Sequence, residues 1–241
     1  MTPRGTGSVS GRYAIFFAGQ PCGEERWTIV RTAAGEVASG EQVTRAPFPF
    51  PSTQRWRAGL DAEGRVAALE VDWEVGGRLV RASHAADGPT WRVHIDYAGH
   101  VREQEGDYPP GVHVLFGSPL FHTFAFRRFV LAPGAEHEFA ALLVGPPYMA
   151  VEPGHQKLHC TETREIETAL GRVSARRIEV LDPARGPAEA LTMWIDEHDI
   201  VLEAYEGAGE GTPWMRLVER SASPDGSPGP SGAEAGQAGP F

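Results

Sequence analysis

A chain of 241 residues, 41% hydrophobic and 22% charged, is long enough to bury one sizeable core and has the composition of a soluble globular protein. Its formal net charge of −10 argues against a general nucleic-acid binder and against docking on an anionic membrane through charge. The 29 glycines and 20 prolines exclude a mostly helical fold and imply many short strands joined by turns.

Met1–Ser10 is polar and Gly-rich, lacks the charged start and apolar run of a signal peptide, and is expected to be a flexible N-terminus. The longest apolar runs, Tyr13–Ala18 and Phe139–Val144, are too short to span a bilayer, so the expected location is the cytoplasm, with Cys22 and Cys160 as reduced thiols. A single domain is expected over residues 11–220. Arg45–Ser52 carries three prolines and reads as an extended connector whose two phenylalanines cover an open end of the core. Leu69, Val71, Trp73 and Val75 alternate with Glu70, Asp72 and Glu74, and Trp91, Val93, Ile95 and Tyr97 alternate with Arg92, His94 and Asp96. That period marks half-buried strands with one wet face. Ala34-Gly35, Glu63-Gly64, Gly76-Gly77 and Ala98-Gly99 supply short turns between runs, which demand antiparallel pairing. Short helical turns are placed near Tyr108–Leu115 or Pro183–Ala190.

Phe121–Val130 (FHTFAFRRFV) breaks the alternating rule. Read as a strand it is apolar on both faces, with Arg127 on the face of Phe121, Thr123, Ala125 and Phe129, and Arg128 on the face of His122, Phe124 and Phe126. Such a strand is covered by protein on one side and by a plug, helix or ligand on the other. His155–Glu167 holds only Leu158, Cys160 and Ile166 as apolar residues and reads as a charged edge strand or a polar strip along a groove. Ser221–Phe241 has almost nothing apolar to bury and is expected to be a disordered tail.

The segment Gly117–Phe129 (GSPLFHTFAFRRF) resembles the central motif of a bacterial glycolipid-binding family, Thr-Pro-Phe-Thr-Asn-Thr-Leu-Pro-Ile-Arg-Arg-Leu. Pro119, Thr123, Arg127 and Arg128 match by identity; Leu120, Phe124, Phe126 and Phe129 match in kind. Pro147–Lys157 (PYMAVEPGHQK) resembles the family's Pro-x-Leu-x-Val-x-Pro-x-x-Gln-Arg stretch, with Gln156 on the glutamine, and Trp194–Tyr205 resembles its closing hairpin. His122, Phe121 and Ala125 replace the family's asparagine, threonine and proline. The resemblance implies a long antiparallel sheet wrapped around a helix or apolar cavity, as in lipoprotein-carrier-like half-barrels.

Among residues that carry chemistry, His155, His159 and Cys160 have zinc-ligand types, but positions four apart on a strand lie about 13 Å apart, and no metal site or cofactor is expected. No Gly-x-Ser-x-Gly elbow, recognisable catalytic cysteine or phosphate cradle is present. Arg127 and Arg128 require anionic or carbonyl partners, either internal ion pairs or a ligand head group. The expected fold is all-β: one large curved antiparallel sheet, a half-barrel or clamshell around an apolar cavity or a short plug helix. The expected function is non-catalytic binding, carriage or sensing of an amphipathic small molecule such as a lipid or glycolipid. Candidate ligand-binding residues are His122, Thr123, Phe124, Phe126, Arg127, Arg128, Tyr148, Gln156, Trp73 and Trp91, with Met193 on the apolar inner surface. The alternative is a cytoplasmic hydrolase, cyclase or isomerase using His122 with Glu162, Glu138 or Asp196. The expected partner is the small molecule, with no nucleic acid and no membrane insertion; the oligomeric state is left open.

Overall fold

The computed structural model describes residues 6–33, 35–146, 148–184, 186, 190–207 and 211–223. Of the tail expected from Ser221, residues 221–223 instead end β15, and the rest, with half of the possible helical turn at 183–190, lies outside them. The strands are β1 (Gly7–Phe17), β2 (Gln20–Thr32), β3 (Gly35–Thr44), β4 (Ser52–Leu60), β5 (Val66–Val75), β6 (Arg78–Asp87), β7 (Thr90–Tyr97), β8 (His100–Asp107), β9 (His113–Leu115), β10 (Glu136–Gly145), β11 (Ala150–Thr168), β12 (Gly171–Leu181), β13 (Leu191–Ile195), β14 (Val201–Glu206) and β15 (Met215–Ser223). One helix, α1, spans Pro119–Phe126. β1 begins at Gly7, inside the stretch expected to be a flexible N-terminus.

All fifteen strands form a single sheet in the order β8 to β1, then β15 down to β9. Every neighbour is antiparallel except β9 against β10. A sheet this wide curls rather than staying flat. Bulges at Arg12/Tyr13, Gly59/Leu60, Cys160/Glu162 and Trp194/Ile195 bend it further. Two glycines let large indoles lie flat across the concave surface. A Cβ on Gly11 would sit 2.5 Å from the Trp27 ring, and one on Gly40 would sit 2.6 Å from the Trp56 ring.

The hairpins define two ends of the rolled sheet. Because consecutive strands run antiparallel, the β1–β2, β3–β4, β5–β6, β7–β8, β10–β11, β12–β13 and β14–β15 connections lie at one end. The β2–β3, β4–β5, β6–β7, β11–β12 and β13–β14 connections lie at the other.

The alternating strands fold as read. Leu69 and Val71, and Trp91, Val93 and Ile95, face inward, and the charged residues between them face water. Two other readings are corrected. Phe121–Val130 is no strand: residues 119–126 form α1, buried along its whole length. β9 and β10 are parallel, so the chain must return through a crossover, and α1 is that return, carried inside the sheet. Ser118 caps its N-terminus, accepting from the Leu120 N–H at 3.3 Å, and Pro119 opens the first turn. The polar stretch His155–Glu167 is no edge either, since β11 pairs with β10 on one side and β12 on the other. Its polar side chains stand in cross-strand ion pairs on the outer face, such as Lys157–Glu136 at 3.2 Å.

Candidate functional site

Helix α1 divides the interior. Leu120, Phe121 and Phe124 pack into a cluster with Tyr13, Trp27, Trp56 and Trp91, whereas Ala125 and Phe126 join a second cluster with Leu158, Ile178 and Met193. Met193 is therefore packed core rather than cavity wall. The helix is tied down at both ends. Glu25 of β2 is fully buried, accepts a hydrogen bond from Trp56 Nε1 at 3.0 Å and lies against the Ser118 cap. Burial pushes its carboxyl up to about 7, although Ser118 and Trp56 both favour the charged form. At the C-terminus, Arg127 Nη1 meets Glu36 Oε1 at 2.6 Å, and Arg31 Nε meets Glu36 Oε2 at 2.9 Å. Burial works against the Glu36 charge, but the two guanidiniums win and hold its carboxyl below the usual range. Midway, Thr123 Oγ1 accepts from the Val201 N–H at 3.3 Å.

Beside the helix, at the end of the sheet where β10 turns into β11, lies a cavity of about 690 Å³. Leu115, Phe116, Leu143, Val180 and Leu191 provide apolar walls. His122 reaches it from α1 and Gln156 from β11, both buried. Glu152, Asp182 and Glu206 line it from the mouth-end segments of three different strands, and no Lys or Arg lines it among the described residues. His122 is 9% exposed, and its Nδ1 has no hydrogen-bond partner. Burial lowers the imidazole pKa to about 4, so the ring is neutral at pH 7 and can exchange hydrogen bonds but not charge.

Of the ten candidate binding residues, the structure brings only His122 and Gln156 to this cavity. Thr123, Phe124 and Phe126 are helix positions packed into protein. Arg127 is held by Glu36, and its guanidinium lies over the Phe124 ring at 5.5 Å. Arg128 reaches out to the Glu63 carbonyl at 3.1 Å. Tyr148 is an exposed turn residue edge-on to Tyr97. Trp73 is half-buried and Trp91 fully buried in the first cluster, where Trp91 contacts Tyr108 and His84. The carboxylates proposed to orient His122 are engaged elsewhere: Glu138 faces His155 at 3.3 Å, Glu162 faces Arg164 at 3.8 Å, and Asp196 pairs with Arg220. Glu152, Asp182 and Glu206 were invisible to motif reading. Each stands at or next to a strand end, and the pairing of β11 to β14 in the sheet gathers them.

A fully buried helix packed against one large curved, almost wholly antiparallel sheet, with a cavity beside it, defines a β-barrel-like protein. The solved structure of a β-barrel-like protein of domain of unknown function DUF1849 from Brucella abortus is similar over 91% of this chain and 98% of its own, with a TM-score of 0.60 at 11% identity. A DUF1089 family protein from Pseudomonas aeruginosa aligns over 78% of this chain and 91% of its own, with a TM-score of 0.49 at 18% identity. No protein-family model matches the chain. No curated protein matches it either.

Proposed function

We propose that this protein binds an amphipathic small molecule in the 690 Å³ cavity, with an apolar tail against Leu115, Phe116, Leu143, Val180 and Leu191. The volume lies within the range of ligand sites, and apolar walls with a few convergent polar groups are their usual lining. The observation that carries the reading is the convergence of two buried polar side chains, His122 and Gln156, on a roomy site whose walls are otherwise largely apolar. The carboxylates at Glu152, Asp182 and Glu206 favour a cationic or polyhydroxylated head group over an anionic one. That choice revises the expectation that arginines meet the head group, because Arg127 and Arg128 do not line the cavity. The reading favours carriage or sensing, since among the described residues lining the cavity no His–carboxylate hydrogen bond of the kind general-base chemistry uses is formed.

Calorimetric titration with decyltrimethylammonium, decyl maltoside and decyl sulfate, each below its micellar concentration, tests this. The first two should bind at least tenfold more tightly than the sulfate, and Ala150→Trp at the cavity wall should abolish both. Preference for the sulfate, or binding untouched by Ala150→Trp, would overturn the reading.

A further inference from the structure

The large exposed apolar side chains are unevenly distributed. Among the described residues, Phe17, Phe50, Leu79, Val101 and Tyr148 all stand at the end of the rolled sheet where the cavity lies, and Val130 and Leu170 stand at the opposite end. Phe50 and Tyr148 lie in the β3–β4 and β10–β11 connections, and Phe17, Leu79 and Val101 lie at the ends of β1, β6 and β8 that flank the β1–β2, β5–β6 and β7–β8 turns. Phe50 is 66% and Val101 61% exposed, so neither serves the core. Phe50 sits between Pro49 and Pro51 in a connector whose Phe48 packs edge-on against Phe17 at 5.8 Å, and Tyr148 meets Tyr97 at 5.5 Å. Phe17 and Tyr148 are thus each steadied by a neighbouring ring.

We propose that this mouth end is a docking surface for a zwitterionic lipid bilayer, with the five tips seated at the head-group level. The proposal rests on the reading of the cavity as an amphiphile site and names the surface from which that amphiphile is taken or to which it is delivered. Aromatic and aliphatic tips that flank a polar ring are the side chains that partition into a membrane interface. The same end carries charges of both signs, with exposed Arg45 and Arg78 at the connections and Glu152, Asp182 and Glu206 around the cavity. That mixture matches zwitterionic head groups, and a net charge of −10 opposes an anionic surface. A second copy of the chain fits less well. A stable pair needs a continuous patch of about 800 Å² per partner, whereas these tips stand at strand ends and turns parted by Gly76, Gly77, Gly99 and charged side chains. A fluid bilayer imposes no register on them. The expectation of no membrane insertion rested on charge and on the lack of a spanning segment, and neither bears on side-chain tips.

The test is co-sedimentation of the full chain with phosphatidylcholine vesicles. Wild type is compared with Phe50→Ser/Val101→Ser/Tyr148→Ser and with Val130→Ser/Leu170→Ser from the opposite end. The partition coefficient should fall at least tenfold in the first variant and stay within twofold in the second, with thermal melts unchanged in both. No vesicle binding by wild type, equal losses in both variants, or binding that requires phosphatidylserine would overturn the proposal. So would a dimer, seen by light scattering, that the mouth-end variant dissolves. Titration with decyl maltoside in vesicle-free solution separates the two readings. If wild type sediments with vesicles yet takes no decyl maltoside, the cavity reading fails and the docking surface stands. If the mouth-end variant keeps decyl maltoside affinity but wild type ignores vesicles, docking fails and the cavity reading stands.

Discussion

Glu25 makes the stability of this fold sensitive to pH, and replacing it by glutamine exposes how much. The carboxyl is wholly buried beneath the N-terminus of α1, one oxygen accepting from Trp56 and the other without a partner. Below pH 4.5 it is protonated in both folded and unfolded chains and costs nothing. Between 4.5 and about 7 the unfolded chain releases its proton while the folded chain keeps it, so stability falls as pH rises. Above 7 the loss is complete, and the gap corresponds to about 3 kcal/mol. Glu25→Gln keeps an acceptor for the Trp56 indole and removes the titration, though its amide N–H groups meet the same unpartnered side, a loss of about 1–3 kcal/mol at every pH. The informative quantity is therefore the difference in pH dependence. Urea unfolding of both proteins at pH 5 and pH 8 should show wild type losing about 3 kcal/mol relative to the variant over that interval, with all other titrating groups cancelling. Parallel curves would refute the reasoning and mean that water reaches the carboxyl.

Arg127→Met should destabilise by about 2–3 kcal/mol in chemical denaturation, at or below the usual cost of breaking a buried pair because Arg31 still faces Glu36; Arg128→Met, at a solvent-exposed contact, should stay within about 0.5 kcal/mol. His84, His113 and His122 are buried with pKa values lowered to about 4, so stability should be full above pH 6.5 and fall as pH drops towards 4; His84→Leu should flatten that acid limb in urea titrations at pH 4.5 and 7, and an unchanged slope would count against it. Trp91→Ala should cost about 3–5 kcal/mol and Trp73→Ala markedly less, since only the former is fully buried; thermal melts of the two variants check the order.

Strands with one wet face were readable because a charge between every pair of apolar residues admits only a period of two, as from Leu69 to Val75. α1 was misread because a helix buried all round has no polar face, and an apolar run of eight residues suits a covered strand equally well. The deciding signal was present at its start, where Ser118 followed by Pro119 is a capping residue and a first-turn proline. Misassigning that segment scattered Arg127, Arg128, Phe124 and Phe126 into a ligand site, although His122 and Gln156 do reach the cavity. Its acidic lining depends on which ends of β11, β12 and β14 lie together at one end of the curved sheet, which no local pattern carries.

The order of strands has a further consequence for how the chain assembles. β1 to β8 and β9 to β15 are two meanders, each built from pairings close in sequence apart from the crossover at β9, and the only ladder between them joins β1 to β15, matching Ser8 with Ser223. Closing that ladder spans nearly the whole polypeptide and carries the largest loop entropy, so it should form last, zipping together two pre-built halves. α1 belongs to the later half by sequence yet is fastened at Glu25 and Glu36 of the earlier one. A backbone broken between β8 and β9 would consequently leave two fragments able to find each other in trans, with the helix of one as the core of the other.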